Sequence, residues 1–119
     1  MKKLSLYVFL VLLFCENTIA DSKDRNAKLN QLFEQLTKNN NVSIVLEIEM
    51  KIWNIWSTHP TQEKLTQSLA KGSDLMSKGE LEPAYKIFST IVNSAPDWAE
   101  GWNKRATVLY LMGRYQDSL

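Results

Sequence analysis

Cysteine and histidine are nearly missing from this chain, which limits the chemistry that it can perform. The single cysteine is Cys15 and the single histidine is His59. Cys15 lies in an apolar run near the N-terminus, so a chain that loses this run has no thiol and can form neither a disulfide nor a thiolate metal site. No Cys-x-x-Cys or His-x-x-x-His spacing is present. The sequence therefore predicts no metal site and no cofactor.

Sets of residues that enzymes use are also missing. The sequence contains no paired carboxylates, no Ser/His/Asp set and no glycine-rich phosphate loop. His59 stands at a helix–turn junction with no nucleophile or acid near it in the sequence. Because a general base is defined by its geometry with a partner group, we interpret His59 as a turn residue and not as a catalytic one. We expect no catalytic residue and no enzymatic activity within these residues.

Neither sign of charge is in excess. The chain has 14 Lys and Arg residues against 13 Asp and Glu residues. This balance lacks the basic footprint of a nucleic-acid-binding protein, so nucleic acid is not an expected partner. Lys104 and Arg105 form a short basic pair that could contact phosphate or lipid head groups. Two charges in a nearly neutral chain more often form a solvated surface, and we favour that interpretation.

The first 20 residues have the layout of a secretory signal peptide. Lys2 and Lys3 precede an apolar run over residues 4–14, and residues 18–20 place small side chains where a signal peptidase reads them. The run is shorter than the roughly 20 apolar residues that a membrane-spanning helix needs. We expect cleavage after Ala20. The mature protein would then be periplasmic or otherwise exported, and would meet the membrane only transiently through its signal peptide.

Two other fates of the N-terminal segment remain. Lipidation of Cys15 is disfavoured because Phe14 is bulky where lipoprotein signals carry a small residue. An uncleaved anchor is the second possibility, since Lys2 and Lys3 would hold it in the positive-inside orientation.

Residues 21–60 are expected to form an N-terminal helical pair. The first helix, about 25–38, shows the i, i+3, i+4, i+7 spacing of an amphipathic helix. The asparagines at 39–41 end it, because Asn tolerates the left-handed backbone of turns. The pair ends at His59 and Pro60, since Pro cannot extend a helix. The apolar positions of the first helix are Leu29, Leu32, Phe33 and Leu36.

The second helix of the pair, 42–58, is apolar nearly all round. Its polar exceptions, Glu47, Lys51 and Asn54, fall on one narrow stripe. A helix that is apolar on most sides is expected to be buried on most sides. Trp53 and Trp56 could offer an aromatic platform to a ligand, but their helical spacing favours core filling.

Residues 65–119 repeat themselves with a period of 34. With that shift Gly72 falls on Ala106, Leu75 on Leu109 and Gly79 on Gly113. This period and pattern of small and bulky positions resembles the tetratricopeptide repeat family. Residues 65–98 resemble one complete repeat and residues 99–119 the first two-thirds of a second. The positions that carry the signature are Gly72, Leu75, Gly79, Leu81, Ala84, Phe88, Pro96, Trp102, Ala106, Gly113 and Tyr115.

The resemblance implies an all-α fold, an α-solenoid of antiparallel helix hairpins whose last repeat is incomplete. Over residues 61–119 we expect helices at 62–78, 80–94 and 98–112, followed by a short stub. Small residues at Gly72 and Ala84 would let the two helices of a hairpin approach. Gly79 would end its helix with a left-handed turn. The pair at 21–60 matches the pattern less well and is either a degenerate repeat or an N-terminal cap.

Local signals refine these helices. Thr61 can cap the helix that follows it. Asp97 and Glu100 have the spacing of a capping box for the helix at 98–112. The apolar side of that helix is predicted to consist of Trp102, Ala106, Leu109 and Tyr110. The run 97–106 also resembles short exported bacterial proteins of the family.

In this family the first helix of each repeat lines a groove that holds a partner. By that resemblance we expect an exported scaffold that binds a protein or peptide. The alternatives are a membrane-tethered structural subunit with an uncleaved anchor, or the regulatory N-terminal part of a longer enzyme. Leu69 and Ser73 stand where a carboxylate clamp would need Lys and Asn, so no such clamp is expected. The implied groove residues are Thr66, Leu69, Ser73, Met76, Ser77, Glu100, Asn103, Thr107 and Tyr110.

The last residues of the chain break the pattern. Residues 114–119 make less than two helical turns, too few for a helix that is stable by itself. Either the sequence is a fragment of a longer open reading frame, or a partner completes the exposed edge. We favour the fragment, because an uncapped array is rare and exposed apolar surface drives association.

Overall fold

The structure, a computed structural model, describes residues 22–118 except for the side chain of Tyr115. The predicted signal peptide, residues 1–20, lies outside the described residues. Every regular element within 22–118 is a helix, which confirms the all-α prediction. No helix in this range is both long and apolar enough to cross a membrane.

Within residues 22–118 six helices follow one another, and their ends differ from the predicted ones by at most three residues. Residues 22–38 form α1. The others are α2 Val42–Trp56, α3 Glu63–Ser77, α4 Leu81–Ser94, α5 Ala99–Leu111 and α6 Tyr115–Ser118. The chain divides between Ile55 and Trp56 into two compact units. The first unit contains α1 and most of α2, and the second contains α3 to α6.

In the first unit, α1 and α2 run antiparallel. The Nη2 of Arg25, near the start of α1, donates to the carbonyl oxygen of Ile55 at 2.6 Å. Asn41 caps α2, since its Oδ1 accepts from the backbone N–H groups of Ser43 at 3.0 Å and Ile44 at 3.4 Å. The helix α1 ends before residues 39–41, as predicted, but without a left-handed backbone there, because no described residue other than glycine has a positive φ.

The helix α2 is less buried than predicted. Ile48 and Ile52 are its only buried residues, and they lie one turn apart on the same face. Trp53 is 49% exposed, so the prediction that it fills the core is wrong, while Trp56 is half-buried. The other large apolar residues of α2 that are exposed are Val42, Ile44, Leu46 and Met50.

In the second unit, α3 packs against α4 and α4 against α5 as sequential antiparallel pairs. Gly72 of α3 lies directly against the ring of Phe88 of α4. An added Cβ on Gly72 would stand only 2.6 Å from Phe88 Cε1. The small residue expected at position 72 therefore makes room for Phe88, and Ala84 is itself fully buried. The buried cluster consists of Leu65, Leu69, Ala84, Phe88, Ile91, Ala95, Trp98 and Val108.

The helices α3 and α5 end in the same way, 34 residues apart. Gly79 follows α3 with φ +77° and Gly113 follows α5 with φ +73°. After α3, the N–H of Glu80 donates to Leu75 O at 2.9 Å and that of Gly79 to Met76 O at 3.1 Å. After α5, the N–H of Arg114 donates to Leu109 O at 2.9 Å and that of Gly113 to Tyr110 O at 3.0 Å. Both ends are Schellman motifs, whose left-handed residue is usually glycine.

The start of α3 differs from the prediction. Its N-cap residue is Gln62, so Thr61 does not cap the helix. The side chain of Gln62 makes no capping hydrogen bond to the helix. Instead Nδ1 of His59 accepts from the backbone N–H groups of Thr61 at 3.2 Å and Gln62 at 3.1 Å. The backbone N–H of His59 donates to Thr66 Oγ1 at 2.9 Å. His59 is thus a turn residue, and its ring organises that turn.

The predicted capping box of α5 does not form. The N-cap residue is Trp98, and it makes no side-chain bond to the helix. The ring of Trp98 instead meets that of His59 edge-on at 5.0 Å between centroids, and its Nε1 donates to Trp56 O at 3.2 Å. Trp98 is 7% exposed, and a buried indole usually satisfies its N–H with such a hydrogen bond.

Candidate functional site

The implied groove residues lie on α3 and α5, which contact one another in the second unit. On α5, three of them, Asn103, Thr107 and Tyr110, are exposed, and Tyr110 shows 62% of its surface. Their spacing of four and three residues places them on one helix face. Thr107 Oγ1 donates to Asn103 O at 2.8 Å, so the hydroxyl is held against the helix backbone.

The groove residues of α3 are more enclosed. Ser77 is exposed, whereas Thr66, Ser73 and Met76 are half-buried. Leu69 is almost completely buried and belongs to the core cluster. Of the implied groove residues, one on α3 and three on α5 are therefore exposed.

Glu100 is the buried charge of this region. Its Oε2 accepts from Asn103 Nδ2 at 3.2 Å, and its Oε1 lies 3.7 Å from Lys104 Nζ. Among the described residues, no hydrogen-bond donor reaches Oε1. A buried carboxylate needs a counter-charge, which Lys104 supplies from the next turn of the same helix. Glu100 therefore fixes Asn103 and Lys104, and it offers little surface of its own.

The buried side of α5 is rotated from the predicted one. Val108 and Leu109 are buried, while Trp102 is 45% exposed and Tyr110 is largely exposed. The prediction that Trp102 packs on the apolar side is therefore wrong, whereas Tyr110, which was expected either on that side or in the groove, lies on the surface. Trp102 Nε1 donates to Pro96 O at 2.8 Å, which holds the indole on the surface.

Sequence reasoning missed Gly101 as the residue that sets this rotation. An added Cβ on Gly101 would lie 3.0 Å from Ile91 Cγ2, so α5 approaches α4 closely there. The neighbouring Trp102 is thereby turned away from α4. The sequence did contain a signal, a glycine in the first turn of a helix. Glycine has low helix propensity, and within a helix it often marks a close packing contact.

The basic pair at 104 and 105 is engaged within the fold. Lys104 pairs with Glu100. Arg105 Nε donates to Ser89 Oγ at 3.2 Å, and its Nη2 donates to the Tyr85 hydroxyl at 3.3 Å. The bond from Arg105 is the largest cause that lowers the pKa of Tyr85 below its ordinary value, because it stabilises the phenolate.

Arg114 lies on the same tyrosine. Its guanidinium carbon is 5.4 Å from the Tyr85 ring centroid, and that of Arg105 is 5.5 Å away. Both distances fall within the range of a cation–π contact. Arg114 also pairs with Asp117 at 2.8 Å. These contacts join α4, α5 and α6, so the arginines have a structural use. Among residues 22–118, no group of three metal-ligating side chains is assembled.

Comparison with known proteins adds one distant relative. A TPR repeat-containing protein of Rhizobium etli is 27% identical to this chain over 109 residues. The alignment covers 87% of this chain and 52% of the relative, so the chain spans about half the length of the curated relative that it matches. No family model and no solved structure matches the sequence. The relative and the paired helices confirm the resemblance to the tetratricopeptide repeat family.

Proposed function

We propose that this protein is an exported, non-catalytic scaffold that binds a protein or peptide partner through the face formed by α3 and α5. The likeness to a TPR repeat-containing protein supports a protein–protein interaction scaffold in general terms. The use of this particular face, the export and the absence of catalysis are our inferences.

The observation that carries the proposal is the exposed row Asn103, Thr107 and Tyr110 on α5. Tyr is enriched in protein interfaces because its ring gives contact area and its hydroxyl gives a hydrogen bond. Asn103 adds an amide that can bond to a peptide backbone. The row carries no charge, so we expect the bound segment to be uncharged or mixed, and the complex to depend weakly on salt.

Affinity capture tests this face. The protein is used to capture partners from envelope extract, and each partner identified by mass spectrometry is then measured with purified components. We expect the double variant Asn103→Ala/Tyr110→Ala to lose the partner that the unmodified protein retains. Lys86→Ala, at an exposed site on α4, is the matched control and should retain it. A partner that binds all three proteins equally would show that α5 is not the binding face.

Export is supported by the lysine pair, the short apolar run and the small residues before Asp21. N-terminal sequencing of the cellular protein should give Asp21 as its first residue. A membrane-bound protein that still begins with Met1 would instead favour the tethered structural subunit.

A further inference from the structure

A pocket lies between α1 and α2 in the first unit. Its volume is about 360 Å³, which falls within the range of about 300–1,000 Å³ found for small-molecule sites. The helix α1 lines it with Lys28, Gln31, Leu32 and Gln35, and α2 lines it with Lys51, Asn54 and Ile55. Each set follows the three- and four-residue spacing of one helix face, so the two helices present continuous walls.

The lining combines two apolar side chains with a polar wall. Leu32 is buried and Ile55 is half-buried. The polar wall consists of two ammonium groups and three carboxamides, and no carboxylate lines the pocket. Ammonium groups only donate hydrogen bonds, and carboxamides donate as well as accept. Such a wall favours an anionic group over a cationic one.

The charges near the pocket limit the ligand further. Lys51 Nζ lies 2.7 Å from Glu47 Oε1, in a pair that is more than half exposed on both sides. Among the described residues, no carboxylate pairs with Lys28. Two lysines and one glutamate leave a net charge of +1, which a monoanion neutralises.

Part of the polar stripe that interrupts the apolar sequence of α2 lines this pocket. Lys51 and Asn54 of this stripe face the pocket, opposite the polar side chains of α1. Both side chains are exposed, so a ligand in the pocket can reach them from solvent.

We propose that this pocket binds a small organic monoanion, a carboxylate that carries a short apolar tail. The carboxylate lies between Lys28 and Lys51, and the tail lies on Leu32 and Ile55. The amides of the wall bond to the carboxylate or to a polar substituent of the ligand. This site is separate from the face of α3 and α5, so the two proposals fail independently.

Titration of the ¹⁵N-labelled protein with hexanoate tests the proposal by nuclear magnetic resonance. We expect saturable shifts in the amide signals of residues 28–35 and 51–55, with the signals of α3 to α5 unchanged. Affinity should rise about threefold to fourfold for each methylene added from butyrate to hexanoate, because burying one methylene contributes about 0.8 kcal/mol. Hexylammonium and inorganic phosphate are the comparison probes and should each bind more weakly than hexanoate.

Charge-removing variants identify the residues. Lys28→Gln and Lys51→Gln should each weaken hexanoate binding about twofold to fivefold, the effect of removing one exposed ion pair. Lys38→Gln is the matched control, because Lys38 lies on α1 outside the pocket and pairs with Glu34, and it should change nothing. All three substitutions are at exposed positions, and unchanged unfolding midpoints will show that the fold is retained.

Three results would overturn the proposal. The first is the absence of localised shifts with hexanoate. The second is equal binding of hexanoate and hexylammonium, or of hexanoate and phosphate. The third is an effect of Lys38→Gln as large as that of Lys28→Gln.

Discussion

Replacing Gly72 with Ala tests whether the approach of α3 to α4 depends on the missing side chain at this position. Gly72 is buried in the interior of α3, and its added Cβ would lie 2.6 Å from Phe88 Cε1 and 2.9 Å from Cζ. Carbon atoms that are not bonded prefer a separation of about 3.5–4.0 Å. Phe88 is 0% exposed, so its ring cannot retreat without moving other core residues.

Two opposed effects set the size of the change. Ala is favoured over Gly in a helix interior by about 1 kcal/mol. Overpacking a filled core costs about 1–3 kcal/mol. Because the contact is far shorter than the preferred separation, we expect the steric cost to win. The free energy of unfolding should fall by about 0.5–2 kcal/mol.

Urea denaturation followed by circular dichroism and by tryptophan fluorescence measures this change. A second background isolates the contact. Phe88→Leu removes the distal ring atoms, so in that background Gly72→Ala should be neutral or stabilising by up to about 1 kcal/mol, the helix-propensity gain alone. This reversal of sign is the non-additivity expected of residues in contact. A stabilising effect of Gly72→Ala with Phe88 intact would refute the reasoning.

Two further predictions concern α4. Ala84→Leu should lower the free energy of unfolding by about 1–3 kcal/mol, because Ala84 is fully buried. Lys86→Ala, at an exposed site, should change it by less than about 0.5 kcal/mol. Equal effects of the two substitutions would argue against the repeat packing. Arg105→Gln should raise the phenol pKa of Tyr85 toward its ordinary value, because the bond from Arg105 is the largest cause of the lowering, and an unchanged titration of the Tyr85 ring signals by nuclear magnetic resonance would contradict this. Since the folded pKa is the lower one, the linked stability is fully present above the unfolded value of about 10, and is lost as the pH falls through the folded pKa.

The positions of the helices could be predicted from the sequence because they depend on local signals. Apolar spacing located each helix, and Asn, Pro and Gly marked the connections between them. The two glycine turns repeat at Gly79 and Gly113 because a left-handed backbone is nearly free of cost for glycine alone. The period of 34 therefore appears both in the sequence and in the hydrogen bonds that end α3 and α5.

The caps were harder to predict because several residues compete for each helix end. Thr61 and Asp97 have capping side chains, yet His59 bonds the turn before α3 and neither helix start has a side-chain cap. Trp98, the N-cap residue of α5, packs on His59 and bonds to Trp56 O, 42 residues away in sequence. A contact of that separation is not encoded in any local pattern.

The helical class, the order of the helices and the glycine turns followed from the sequence, since each rests on residues within about one or two helical turns. The repeat followed from it as well, because like residues recur 34 positions apart. Which face of each helix is buried depends on the packing of the helices against one another. One residue turns a helix by 100°, so the close contact of Gly101 with Ile91 is enough to place Trp102 on the surface. The same rule applies to α2, where packing buried Ile48 and Ile52 and left Lys51 and Asn54 to line a pocket with α1. Apolar periodicity limits the faces that a helix can bury, and only the fit between neighbouring side chains selects one of them.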